Sequence, residues 1–329
     1  MEKLLSMLRA AGDATRLRLL LLLTKAELTV SEITSILGQS QPRVSRHLRL
    51  LCEAGLLERF KEGAWVFYRA AEQAKAVELA RAISALADVE NDPVLIDDSR
   101  RLTEVRTQRA QEAAAYFRAN APQWERIRSL HVPEHDVEAA IVRLLGRDRL
   151  DSVLDAGTGT GRMLELLSPY IKRGVGIDVS PEMLSIARDR LGQAGAFNCQ
   201  VRRGDVYRLP FADGQPGSGF DAVLFHQVLH FLDDPQTALR EAIRVLKPGG
   251  RVLIADFAPH QLEFLRTEHA HRRLGFSDAE VEGWFKAAGL KGVAAQSLVP
   301  SDVHGLTVMV WLGETAGAVT RTKTIEAVT

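Results

Sequence analysis

The chain has 329 residues, a length that suggests two domains, and its hydrophobic content of 46% is ordinary for a folded protein. The formal net charge is zero, so the overall charge favours no particular partner. The two cysteines, Cys52 and Cys199, provide no disulfide framework and fit a reducing cytoplasm, where we expect the protein. The apolar run at residues 17–23 is far too short to cross a bilayer, so no membrane partner is expected.

The first seventy residues predict helices followed by a hairpin. Residues 1–11 and 13–25 form two helices that separate at Gly12, and the second begins at an aspartate cap. A short helix over 29–38 ends at a glycine, and the helix over 41–54 has a proline in its first turn. Two alternating strands follow over 56–69. This order is the layout of a winged helix-turn-helix domain, which binds DNA.

The predicted helix over 41–54 carries the side chains that could meet DNA. Residues 1–70 hold eleven Lys and Arg against seven Asp and Glu, and Arg43, Arg46 and Arg49 are interrupted by no acid. The side chains that could reach bases and phosphates are Gln41, Arg43, Ser45, Arg46 and His47. A charged, solvated helix face in a small helical domain is the alternative interpretation.

Over residues 1–88 the sequence resembles the ArsR-type winged-helix repressors. The likeness rests on DATRLRLL at 13–20, SRHLRLL at 45–51 and GLL at 55–57. The resemblance implies that the helix over 41–54 enters the major groove of an operator and that residues 72–89 form a dimerisation helix. We expect a homodimer through the first helix and residues 72–89. Metal-sensing members carry cysteines where this chain has Thr29 and Ser31, so no soft-metal site is expected.

The most informative stretch is VLDAGTGTGRM at 153–163, where an apolar strand runs into a glycine-rich turn and then a helical pattern. Gly157, Gly159 and Gly161 let the backbone turn sharply and approach a ligand, and the following helix presents free N–H groups. An acid, Asp155, stands at the end of the strand. A tight turn without a ligand is the alternative.

Further strand ends follow in order. Residues 174–178 predict a second strand that ends in an acid, and residues 204–206 follow a third strand. Residues 220–226 predict a fourth strand, and a turn at 246–250 leads into a fifth over 251–256. An acid at the end of the second strand can accept hydrogen bonds from both hydroxyls of a ribose.

These motifs, in this order, resemble the class I S-adenosylmethionine (SAM) methyltransferases over about residues 135–313, and most of all the small-molecule branch that includes quinone methyltransferases. The resemblance implies that the chain binds SAM and releases S-adenosylhomocysteine. It implies contacts to the methionine end, the ribose and the adenine of the cofactor from Asp155, Gly157, Gly159, Gly161, Asp178, Met183, Asp205 and Val206.

Histidines accumulate after the fourth strand, at positions 226, 230, 260, 269 and 271. His230 and His260 are the first choices for catalysis and acceptor contact, because ligands of open α/β sheets bind at the carboxyl edge. His226 and His230 could share a helix face and bind a metal, but no cysteine or acid cluster completes a ligand set, so no metal site is predicted. Residues 268–273 could instead form an exposed helix face.

The sequence therefore predicts several domains. Residues 1–90 form the winged helix-turn-helix domain for DNA binding and dimerisation, and residues 91–134 form a segment with a linker at 94–98 and a bridging helix from 99. Residues 135–315 form an α/β, Rossmann-like class I methyltransferase domain, and residues 316–329 are expected to be a disordered tail. The segment between the domains, which includes Trp124, could bridge them, cover the cofactor, or both.

We expect a DNA-binding transcriptional regulator fused to a SAM-dependent methyltransferase that acts on a small molecule. In one alternative, the methyltransferase domain is silent and senses SAM or S-adenosylhomocysteine to control DNA binding. In another, the protein is a plain enzyme that uses the winged helix only to dimerise. Arsenite methylation would require a group of thiolates, and Cys199 is the only cysteine in the predicted catalytic domain.

Overall fold

The computed structural model describes residues 1–62, 65–71, 74–88, 91–121, 134–145, 150–215, 218–300 and 305–317. The chain forms two compact units. The first comprises Met1–Ala113 and Gln261–Ala270, and the second comprises Ala114–His260 and His271–Thr329. Among the described residues, no helix has both the length and the apolar character that a membrane span requires.

The first unit is the predicted winged helix-turn-helix. Its helices are α1 (Glu2–Ala11), α2 (Ala14–Leu23), α3 (Val30–Leu37), α4 (Gln41–Glu53), α5 (Ala74–Leu86) and the first part of α6 (Pro93–Asn120). Its strands are β1 (Leu28–Thr29), β2 (Leu57–Glu62) and β3 (Trp65–Ala70), in the order β1-β3-β2. The predicted helix pair and hairpin are confirmed, whereas β1, which pairs with β3, was not predicted. The tip of the hairpin, residues 63–64, lies outside the described residues.

Local signals explain the boundaries of these helices. The Asp13 carboxylate accepts a hydrogen bond from the Arg16 N–H at 3.1 Å and so caps α2. Thr29 and Glu32 form a reciprocal capping box at the start of α3. That helix ends at Gly38, whose φ of 63° is in the left-handed region. Because these signals lie within a few residues of each other, the sequence could predict them.

The helix α6 begins at Pro93, so the linker predicted at 94–98 is wrong: these residues are helical. The Asp92 carboxylate caps the helix by accepting a hydrogen bond from the Val94 N–H at 2.8 Å. Asp98, buried within this segment, lies 2.6 Å from a guanidinium nitrogen of Arg18. The linker interpretation missed this pairing because its partner is 80 positions away along the chain.

The second unit is the predicted α/β domain. Its helices are the last part of α6, α7 (Glu134–Leu145), α8 (Arg162–Leu167), α9 (Pro181–Gln193), α10 (Pro235–Arg244) and α12 (Asp278–Ala287), while α11 (Phe264–Glu268) belongs to the first unit. Its strands are β4 (Leu150–Ala156), β5 (Ile171–Asp178), β6 (Cys199–Arg203), β7 (Phe220–His226), β8 (Leu246–Phe257), β9 (Lys291–Leu298) and β10 (Val308–Glu314). They form one sheet in the order β6-β5-β4-β7-β8-β10-β9, which confirms a Rossmann-like fold.

The order of the strands creates a switch point. From β4 the chain builds outward through β5 and β6, and then returns to the other side of β4 with β7 and β8. All five of these strands are parallel, whereas β10 runs antiparallel to both of its neighbours. In open α/β sheets, ligands bind in the crevice beyond the carboxyl ends of the strands at such a point. The site is therefore expected beyond the ends of β4 and β7.

Two other predicted segments, 246–250 and 268–273, differ in the structure. The strand β8 begins at Leu246, so it includes the turn predicted at 246–250. The alternative of an exposed helix face over 268–273 is wrong, because α11 ends at Glu268 and His271 and Arg273 are buried. The region of Trp124 and the tail from residue 318 onward lie outside the described residues.

Candidate functional site

The glycine-rich loop after β4 requires glycine for two reasons. The backbone φ angles of Gly157, Gly159 and Gly161 are 82°, 52° and 79°, values that residues with a side chain rarely adopt. A Cβ atom on Gly157 would also lie only 2.4 Å from a methyl carbon of Val228, just beyond the end of β7. The loop therefore packs directly against the other side of the switch point.

The two carboxylate oxygens of Asp155, at the end of β4, differ in their hydrogen bonding. Its Oδ2 accepts a hydrogen bond from the Thr158 hydroxyl at 2.6 Å. Its Oδ1 is buried and has no hydrogen-bond partner in the part of the chain that the structure describes. Burial raises the pKa of Asp155 to about 7. A cationic ligand group at Oδ1 would both complete its hydrogen bonding and favour the ionised form.

Asp178, at the end of β5, ties that strand to the glycine loop. Its Oδ2 accepts a hydrogen bond from the Gly159 N–H at 2.9 Å, and its Oδ1 accepts one from the Ser180 N–H, also at 2.9 Å. Burial raises the pKa of Asp178. Each carboxylate oxygen can accept a further hydrogen bond, so the residue can hold the loop and still contact a ligand. The sequence indicated only the second of these roles.

The remaining predicted cofactor residues lie along the same edge of the sheet. Met183 is buried in the first turn of α9, and its N–H donates to the Ser180 hydroxyl at 3.2 Å. Val206 is buried just after β6, while the neighbouring Asp205 is exposed and accepts a hydrogen bond from the Tyr207 N–H at 2.9 Å. Since β4, β5 and β6 are adjacent, the structure brings their ends, and these residues, to one edge.

On the other side of β4, the ends of β7 and β8 hold a buried pair. His230 Nδ1 lies 2.7 Å from Asp256 Oδ1, and the two side chains are 2% and 0% exposed. The Asp256 carboxylate also accepts hydrogen bonds from the N–H groups of Leu229 and Phe257, at 3.0 and 2.8 Å. The sequence did not single out Asp256 as a site residue, although an acid at the end of an apolar strand is the same signal that Asp155 gives.

Aromatic rings surround this pair. The centroid of the His230 ring lies 4.1 Å from that of Phe231, 4.2 Å from that of His271 and 4.8 Å from that of Phe257. His260 contacts the edge of this group, with its ring 5.8 Å from Phe257. The structure therefore brings both predicted histidines to the same region, with His230 at the centre.

The shared helix face suggested for His226 and His230 is wrong. His226 is the last residue of β7, and His230 belongs to a short 3-10 turn over Leu229–Phe231.

Gln227 was missed by the sequence analysis. It has a φ of 52°, a strained value for a residue with a side chain, and it is 5% exposed. Its N–H donates to the Ala255 carbonyl at 2.8 Å. Its side-chain nitrogen is buried, and within the described ranges no acceptor reaches it. An unused buried donor and a strained backbone at the switch point both suggest a ligand contact, but neither can be read from the sequence.

The five predicted DNA-contacting residues of α4 differ in exposure. Gln41, Arg43 and Arg46 are exposed, and Ser45 is half-buried. The side chain of His47 is 13% exposed and lies 3.7 Å from the Asp13 carboxylate. Burial lowers the pKa of His47. Of these five residues, two arginines and a glutamine are therefore exposed, while His47 is largely buried.

Comparison with known families agrees with this division of the chain. Residues 13–59 match the helix-turn-helix of bacterial regulatory proteins of the arsR family, and residues 154–254 match a methyltransferase domain. The chain joins an ArsR-family helix-turn-helix domain to a methyltransferase domain.

Individual relatives resemble the methyltransferase part. An uncharacterized methyltransferase of Bacillus subtilis, YcgJ, is 35% identical over 32% of this chain and 41% of its own length. A demethylmenaquinone methyltransferase of Tropheryma whipplei is 37% identical over 36% of this chain and 47% of its own length. The chain thus spans less than half the length of either relative.

A solved structure is similar over a larger part of the chain. It comes from the complex between the Trm112 methyltransferase activator of Haloferax volcanii and a methyltransferase, is 26% identical, and has a TM-score of 0.52. The similarity covers 62% of this chain and 97% of that one. It supports the assignment of the second unit to the methyltransferase fold.

Proposed function

We propose that the protein is a DNA-binding transcriptional regulator fused to an active SAM-dependent methyltransferase that acts on a small molecule. The observation that carries the proposal is the buried Oδ1 of Asp155, which lacks a partner among the described residues and belongs to a carboxyl group whose pKa is raised to about 7. SAM has an α-amino group that is positively charged at neutral pH and would supply the missing donor.

The rest of the proposed cofactor site follows the edge of the sheet. Asp178 would accept hydrogen bonds from the ribose hydroxyls while it holds the loop through Gly159. Met183 and Val206 would contact the adenine, and Asp205 would accept a hydrogen bond from its amino group. The glycine positions 157, 159 and 161 would let the loop approach the methionine end of the cofactor.

SAM supplies a methyl carbon bound to a positively charged sulfur. Transfer of that methyl group is an in-line displacement, so the contribution of the protein is mainly to align the acceptor. His230 and His260 are proposed to contact the acceptor, because they lie at the ends of β7 and β8, across β4 from Asp178 and Asp205.

The DNA-binding unit is proposed to act as a homodimer. Three leucines of α1, Leu4, Leu5 and Leu8, are 45%, 43% and 46% exposed, as expected if a second copy covers this face. The exposed residues of α4 would then enter the major grooves of an inverted repeat, with the half-sites one or two helical turns apart. Sedimentation of the intact protein as a monomer at micromolar concentration would contradict this part of the proposal.

The cofactor site can be tested by calorimetric titration with SAM and S-adenosylhomocysteine. Asp155→Asn removes the charge that would hold the amino group, and loss of a charged hydrogen bond of about 1.5–3 kcal/mol weakens binding about 10- to 150-fold. Asp151→Asn is the matched control: it lies on the same strand, and its side chain is 57% exposed beside Lys172. Equal affinity of the Asp155 variant and the control would refute the site.

A sensor role remains a second candidate, favoured by one observation. Helix α6 contributes residues to both units. Its part in the first unit is held there by two partly buried ion pairs, Arg18 with Asp98 and Arg109 with Glu32, both at 2.6 Å. A ligand that changes the conformation of α6 would change the affinity for the operator. A typical coupling free energy of about 1–3 kcal/mol corresponds to a change of roughly 5- to 150-fold. Equal operator affinity without ligand, with SAM and with S-adenosylhomocysteine would eliminate this role.

A further inference from the structure

The buried pair of His230 and Asp256 has a defined hydrogen-bonding direction. The Asp256 carboxylate accepts hydrogen bonds from the Leu229 and Phe257 N–H groups, at 3.0 and 2.8 Å, so its position is fixed by the backbone. His230 Nδ1 lies 2.7 Å from this acceptor and therefore carries the proton in the neutral ring. The lone pair of the imidazole is consequently on Nε2. This is the arrangement of a general base whose ring is oriented by a carboxylate.

The walls around the pair are aromatic. Phe231, Phe257 and His271 lie within 5 Å of the His230 ring, between ring centroids. A further ring, that of Phe117 from the second-unit part of α6, meets Phe231 edge to face at 4.7 Å. Surfaces of this kind favour a flat, apolar ring in offset or edge-on contact.

Charged groups near the pair already have partners of opposite charge. The main chain of Arg272 and Arg273 donates to the His230 carbonyl, at 2.8 and 3.0 Å. Their guanidinium groups are paired elsewhere, Arg272 with Asp233 at 3.2 Å and Arg273 with Glu280 at 2.6 Å. The surroundings therefore favour a neutral ligand over an anionic one.

The position of the pair relative to the glycine loop is also defined. Val228, two residues before His230, is the residue that a side chain on Gly157 would meet at 2.4 Å. In the sheet, β4 lies between β5 and β7, so the pair and Asp178 flank the loop on opposite sides. The pair thus stands where the acceptor of a group bound at the loop would lie.

We propose that the methyl acceptor is an aromatic hydroxyl compound, of the phenol or catechol class, and that His230 Nε2 is the general base that ionises it. This inference rests on the proposed methyltransferase function. A neutral hydroxyl oxygen is a weak nucleophile that gains from a base, whereas a neutral amine can attack directly and has less use for one. Asp256 is a positioning residue, because it acts through the imidazole.

The proton and electrons balance in this reaction. His230 Nε2 takes the hydroxyl proton, and the oxygen lone pair forms the new bond to the methyl carbon. The methyl–sulfur bond breaks, and its electron pair stays on sulfur, which becomes a neutral thioether. The products are a methyl ether and an imidazolium that is stabilised by the Asp256 carboxylate and later loses its proton to water.

The test uses 4-nitrophenol and 4-nitrocatechol, whose phenolates absorb visible light, with the intact protein saturated with S-adenosylhomocysteine so that no transfer occurs. In the wild type, the bound probe should ionise at a pH about one unit lower than the free probe, a tenfold change in its ionisation constant. His230→Gln should abolish this shift, and Asp256→Asn should reduce it, because the charge that keeps the proton on Nδ1 is gone. His135→Gln, at a side chain that is 98% exposed, is the control.

Each outcome decides the question. An ionisation of the bound probe that is unshifted or shifted upward in the wild type would overturn the proposal without any variant, even if the variants fail to fold. A shift that persists in a folded His230→Gln protein would overturn it as well. Absence of binding of either probe to protein that binds S-adenosylhomocysteine would exclude the aromatic class alone. Absence of S-adenosylhomocysteine binding would instead refute the proposed function.

Discussion

Asp155→Asn should stabilise the ligand-free methyltransferase unit at the same time as it weakens SAM binding. Burial raises the pKa of Asp155 from 3.8 to about 7. Between these values the unfolded chain has lost its proton and the folded chain still holds one. The unfolded state therefore binds fewer protons, and the free energy of unfolding falls as the pH rises through this window. The full decrease in the free energy of unfolding is present above about pH 7.

The size of the effect follows from the shift. Because the pKa of Asp155 is raised by about three units, ionisation of this carboxyl group lowers the free energy of unfolding by on the order of 4 kcal/mol. The asparagine side chain has the same shape, can still hydrogen-bond with the Thr158 hydroxyl and has no charge to bury. We expect the variant to recover about 1–4 kcal/mol at pH 8, and a domain of this size gains about 2–4 °C in melting temperature per kcal/mol.

Thermal unfolding of the two proteins without ligand, followed by circular dichroism at pH 5 and pH 8, measures this directly. The melting temperature of the variant should exceed that of the wild type by more at pH 8 than at pH 5, because ionisation of the buried carboxyl group destabilises the folded wild type. Asp151→Asn, exposed on the same strand, should behave like the wild type at both. A lower melting temperature for Asp155→Asn at pH 8 than for the wild type would refute the reasoning.

Three further predictions concern the ligands and the loop. SAM affinity should rise as the pH increases through about 7, because the raised pKa of Asp155 keeps the carboxyl protonated below it, and calorimetry in two buffers should detect proton release on binding. The variants Arg43→Ala and Arg46→Ala should each weaken operator binding and reduce the slope of affinity against salt by about one where the arginine meets a phosphate, as fluorescence anisotropy would show. Gly157→Ala should destabilise the protein by about 1–3 kcal/mol, since its φ of 82° and the 2.4 Å approach to a neighbouring side chain both oppose a methyl group. Gly192→Ala, in open space on a helix, should be neutral or stabilising in the same melting assay.

The parts of the fold that the sequence predicted depend on local signals. The cap at Asp13, the left-handed Gly38 and the glycine loop after β4 each lie within a few residues of the element that they shape. The strands β4, β5 and β8 were equally accessible, because each contains a short apolar run that leads to an acid, Asp155, Asp178 or Asp256. These signals are strong because the residue types leave few alternative backbone conformations.

Most of the features that the sequence did not predict depend on contacts between residues that are distant along the chain. Asp256 becomes important only because the chain brings it to His230, 26 positions away. Residues 94–98 begin a helix at a local signal, the cap at Asp92, but the pairing of Asp98 with Arg18 joins segments that are 80 positions apart. The strained backbone of Gln227 has no signature in its residue type. Pairing between distant segments and backbone strain are tertiary properties, so local patterns could not predict them.

In the proposed function, one chain binds both an operator and SAM. The most direct measurement enriches DNA from a random pool with the intact protein, and then titrates SAM into the purified complex while both DNA and cofactor are followed. We expect an inverted-repeat sequence, a protein dimer on it and one bound SAM per chain. A protein that enriches no DNA sequence, or a DNA complex that binds no SAM, would contradict it.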